Sequence, residues 1–345
     1  MTNKAAGALT AKAKAMFGER IRPEEYQTML QKKSVAEVAA YLKNETYYRD
    51  VLAGINEKAI HRGQLEALLR QGLFMRFSSL MRYVGSSKDG FYRYGIIENE
   101  IHEILNCIQS FESNDKIVFI AKMPTYIEQQ TSFKISNLVN VHTFDELLEV
   151  LKNTDYAQIL RPHRTEKMDD FDFAACESAL RNYYFETVLK MIEKGFSGSD
   201  RKDIEEIFLT QVELENITKI YRLKKYFNAS VSQIKELISP IRINFTKKDI
   251  EYLVEHCDAD GIIAYIDKTK YGRYFDPQRF VDIEYFTKHI SFNINKHYLY
   301  FNSSPDIVLL AYMVLSEMEV QNIVDIIEGI RYKISPEKIQ RLLIY

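Results

Sequence analysis

Along this chain apolar residues fall mostly three and four positions apart, the spacing that gathers them on one face of an α-helix. Residues 316–333, SEMEVQNIVDIIEGIRYK, are a clear case, with Ile323, Ile326, Ile327 and Ile330 in one stripe. One turn earlier on that face stands a carboxylate, Glu319, with Asn322 at the stripe's edge. Ile101, Ile104, Leu105 and Ile108 repeat the stripe, and Ile217 and Ile220 begin another in VELENITKIYRLKK (212–225). These patterns predict an all-α fold of long helices. The exception is KIVFIA (116–121), short enough to be a strand or a buried connector.

The stripes belong to a longer repeat. Glu213, Asn216, Ile217 and Ile220 match Glu319, Asn322, Ile323 and Ile326. In IIENEIHEILNCI (96–108) Ile97, Glu100, Ile101 and Ile104 take those places, so the first copy carries a glutamate where the others have asparagine. A second pattern recurs upstream, a short helix followed by Thr-x-Tyr, at Thr46–Tyr48, Thr154–Tyr156 and Thr269–Tyr271. Ser34 with Glu37, and Thr143 with Glu146, have the spacing of capping boxes, and Asp258 can cap the third helix. SVSQIKELI (230–238) and SPEKIQRLL (335–343) resemble one another as capped helices, the latter with Pro336 in its first turn. The threonines lie 108 and 115 residues apart, too long a period for a solenoid unit of roughly 20–50 residues. The expectation is three related helical domains, at 1–112, 113–228 and 229–345.

Composition narrows the picture. Thirteen glycines and seven prolines in 345 residues suit long helices with few tight turns. A net charge of −2, from 46 basic and 48 acidic residues, gives no global field that favours nucleic acid or an anionic membrane. Three cysteines, Cys107, Cys176 and Cys257, are odd in number and far apart, which suits a reducing compartment better than a disulfide framework. The run IVLLAYMVL (307–315) is about half of what a bilayer crossing needs, and lysines interrupt the N-terminal stretch where a signal peptide would be apolar. A chain that is neither exported nor membrane-spanning is expected.

Reactive constellations are hard to find. GSSKDG (85–90) lacks the lysine and spacing of a phosphate loop and reads as a surface turn. EHCDAD (255–260) gathers potential ligands but sits at a helix junction with no second cluster. RPHR (161–164) is a basic turn that could meet a phosphate or a partner. Aromatic clusters such as RNYYF (181–185) and NKHYLYF (295–301), without a basic surplus, fit core and junction packing better than base stacking. No nucleophile with its base is recognisable, and no cofactor or metal is expected.

EVQNIVDIIEGIRYKISPEKIQRLL (319–343) resembles the closing motif of a rotary ATPase central-stalk family, whose members are designated C in archaeal and bacterial V-type enzymes and d in eukaryotes. AKAKAMFGERIRPEEYQTMLQKKSVAEVAAYL (11–42) is similar to that family's N-terminal helix and first Thr-x-Tyr module. YYFETVLK (183–190) and VELENITKIYRLKK resemble its middle portion. The resemblance implies a helical funnel of three related domains about a pseudo-threefold axis. It implies a non-catalytic rotor part on the cytoplasmic side of the membrane, linking shaft subunits to the proteolipid ring and transmitting torque, with membrane contact only through that ring. A free-standing helical scaffold for a protein partner is the alternative, and an enzyme with an unrecognised site is a third reading. Glu100, Asn216 and Asn322, with Glu213 and Glu319, either line an inner wall where the shaft enters or fix helix crossings.

Overall fold

The computed structural model describes residues 3–83, 90–111, 128–165, 171–274 and 282–345. KIVFIA and most of GSSKDG lie outside the described residues. Among the described residues the regular structure is entirely helical. By contact the chain forms two compact units: Met1–Gly85, Lys202–Ala229 and Arg242–Tyr345 make the first, Ser86–Arg201 and Ser230–Ile241 the second.

The helices are α1 (Asn3–Gly18), α2 (Pro23–Leu30), α3 (Val35–Glu45), α4 (Arg49–Leu52), α5 (Arg62–Met81), α6 (Tyr94–Gln109), α7 (Phe144–Val150) and α8 (Asp155–Leu160). They continue with α9 (Phe173–Gly195), α10 (Gly198–Phe227), α11 (Val231–Leu237), α12 (Lys247–Glu255), α13 (Ala259–Asp267), α14 (Ile283–Phe301), α15 (Pro305–Arg331) and α16 (Pro336–Gln340).

Local chemistry sets many of the boundaries. Ser34 and Thr143 accept from the backbone N–H of Glu37 and Glu146, each at 3.2 Å, satisfying a donor that the first turn leaves free. The partnering acids reach one residue further back than a capping box requires, to the N–H of Lys33 and His142. Asp258 caps α13 through the Gly261 N–H at 2.8 Å, so EHCDAD supplies a helix start. Ser230 and Gln233 form a full capping box on α11, whereas Ser335 makes no side-chain bond and α16 starts on Pro336 instead. Gly198 opens α10 at φ 62, a left-handed conformation that a Cβ would strain.

In unit 1, α15 is the central helix. It packs antiparallel to α14 across a short turn in which Asn302 accepts from the Ser304 N–H at 2.8 Å. α1 and α5 lie against it, and α2, α3 and α16 close over its C-terminal half. Val320, Ile323, Val324, Ile326 and Ile327 share one core with Tyr26, Met29, Val38, Leu42, Tyr48 and Leu52 from the other end of the chain. Each such side chain contributes about 1.5–3 kcal/mol by leaving water. By length and composition α15 could cross a membrane, but 72% of its most apolar stretch is buried inside the protein, as in a core helix. In unit 2, α9 packs on α6, α8 and α11, with Ile104, Cys107, Leu138, Leu151, Leu160 and Val188 in its core. All three cysteines are buried free thiols.

Candidate functional site: three buried carboxylates

All five polar positions singled out in the stripes are buried: Glu100, Glu213, Asn216, Glu319 and Asn322 are between 0% and 7% exposed. A buried, unpaired polar group costs ~1–3 kcal/mol, so their partners define what they do.

Glu319, on α15, accepts from the Ile21 N–H at 2.6 Å, from the Tyr48 hydroxyl at 3.0 Å and from the Tyr47 hydroxyl. Glu213, on α10, accepts from the Tyr271 hydroxyl at 2.6 Å and from the N–H groups of Ile243, Asn244 and Phe245 at 3.2, 2.8 and 2.8 Å. The Asn244 side chain adds a bond at 2.9 Å. Glu100, on α6, accepts from the Tyr156 hydroxyl at 2.6 Å, the Ser132 hydroxyl at 3.2 Å and the Ser132 N–H.

The three sites share one construction. A carboxylate on a long helix ties down the tyrosine of a Thr-x-Tyr motif and the backbone of a segment that precedes it. The sequence separations agree within the chain: Glu100 to Tyr156 is 56 residues and Glu213 to Tyr271 is 58. Glu319 finds its tyrosine 271 residues earlier, at Tyr48. The recurrence of the motif at three places in one chain then has a cause: tyrosine supplies both a buried ring and a reaching hydroxyl.

The partner sets correct the alignment expected from sequence. Glu100 is equivalent to Glu213 and Glu319, not to the asparagines, and Glu103 then falls where Asn216 and Asn322 stand. A slip of one helical turn leaves an apolar stripe almost unchanged, so periodicity alone could not fix the register. Asn322 makes a separate tie. It donates to the Ile344 carbonyl at 2.7 Å and accepts from the Ile344 N–H at 3.0 Å, like a neighbouring strand. Asn216 is buried on α10.

Electrostatics follow from burial. Desolvation raises the Glu319 carboxyl, opposed by its bonds to Tyr47, the Ile21 N–H and Tyr48 and by the charge of Arg76. Glu100 is likewise raised by burial, and Glu103 is pushed up to about 7. Tyr48, Tyr156 and Tyr271 are raised well above the ordinary phenol, first by burial, so they remain donors. Around Glu319 the Arg76 guanidinium lies 3.8 Å over the Tyr47 ring, donates to the Tyr312 hydroxyl at 2.8 Å and pairs with Glu19 at 2.7 Å. These contacts hold the helices of unit 1 together.

Other candidates resolve locally. Arg164 of RPHR forms a two-pronged pair with Asp145, at 2.5 and 2.8 Å. Among the described residues no group of three or more His, Cys, Asp or Glu side chains is placed to hold a metal. The tyrosine–carboxylate pairing itself was missed in sequence, although the repeated Thr-x-Tyr was its visible half.

Comparison with known proteins gives a consistent answer. The profile of a family described as ATP synthase (C/AC39) subunit matches residues 9–342. The chain is similar to the C subunit of the A-type ATP synthase of Desulfurococcus sp. (strain SY), 21% identical over 96% of this chain and 88% of that one. It is 22% identical to the protein of the same name from Pyrococcus horikoshii, with the same coverage. The Methanosarcina mazei counterpart is 24% identical over 75% of this chain and 69% of its own.

Proposed function

We propose a function from one premise: the chain belongs to the ATP synthase (C/AC39) subunit family. Members of that family are accessory subunits of a rotary ATPase. Within it, we read this chain as a non-catalytic part of the central stalk. It would sit at the cytoplasmic face of the membrane, receive the soluble shaft and bear on the proteolipid ring, passing torque between ATP chemistry and ion transport elsewhere in the complex.

The observation that carries this reading is the family match across residues 9–342. A rotor part must resist shear, and the three carboxylate ties suit that need by fixing helix crossings through buried hydrogen bonds. For Glu100, Glu213, Glu319 and Asn322 we favour this crossing role over an inner wall that touches the shaft. We propose three related helical repeats near 1–112, 113–228 and 229–345, in which the glutamate of one repeat holds the Thr-x-Tyr tyrosine of another.

The test is recovery of the full chain, affinity-tagged, from detergent-solubilised membranes of its own cells. Shaft subunits and proteolipid are expected to co-purify and to dissociate together from it. Recovery of unrelated soluble proteins alone would reject the stalk and favour a free-standing scaffold.

A further inference from the structure

We draw no further inference here: the strongest candidate, the exposed aromatic surface of Tyr226 and Phe227 at the end of α10, with Tyr332 likewise exposed just past α15, carries nothing because nothing in the structure shows what covers it.

Discussion

At the scale of single residues, the buried carboxylates matter for what they prevent. Removing the Glu319 acceptor leaves the Ile21 N–H and two tyrosine hydroxyls without it. Glu319→Ala should cost about 1–3 kcal/mol, measured by urea unfolding. Glu319→Gln should cost roughly half as much, because it keeps an acceptor and removes a charge that burial opposes. The same carboxyls predict a pH dependence. Glu100 and Glu319 are raised by burial, and Glu103 reaches about 7, so the folded chain binds protons that the unfolded chain has released. Stability is then fully present below the ordinary carboxylate range and is lost as pH rises through the folded values. Denaturation midpoints should fall between about pH 5 and 7, and Glu103→Gln should flatten that slope. A midpoint that rises over this range would contradict the burial argument.

At the scale of helices, the apolar spacing and the capping residues were readable because both are local. Ser34, Thr143 and Asp258 each announce a helix start with a side chain whose reach is one turn. The register between repeats was not readable, since a helix face recurs every three or four residues and tolerates a one-turn slip. Only the tyrosine that Glu100 holds distinguishes its true counterparts from the asparagines one turn away. The ends of α15 and α16 show how tightly these elements fit. A Cβ at Gly329 would collide with the Ile339 Cδ1, so the two helices approach through a hydrogen atom. Gly329→Ala should destabilise by about 1–3 kcal/mol through overpacking. Combining it with Ile339→Ala should cost less than the two changes added, since the smaller side chain clears the space. Full additivity in a thermal double-mutant cycle would mean that the contact is not the cause.

At the scale of the molecule, unit 1 is sewn together from opposite ends of the chain. Tyr26 stacks on Tyr345 at 4.8 Å, Asn322 grips Ile344, and Glu319 holds Ile21 across 298 residues. No sequence spacing could have shown this tie, because its tyrosine stands 271 residues before its glutamate, whereas the other two stand 56 and 58 residues after theirs. Deleting residues 341–345 should lower stability by on the order of 2 kcal/mol and speed hydrogen exchange at the Ile21 amide, far from the cut in sequence. Unchanged exchange there would separate the two ends. The same stitching has a consequence on the ribosome. At ~5–20 residues per second, the apolar faces of α2 and α3 wait roughly 15–60 seconds for α15 to be made. Until then α3 and α4 have only their neighbours in the first 81 residues to pack on, and the apolar surface left open depends on whatever shields nascent chains in the cell.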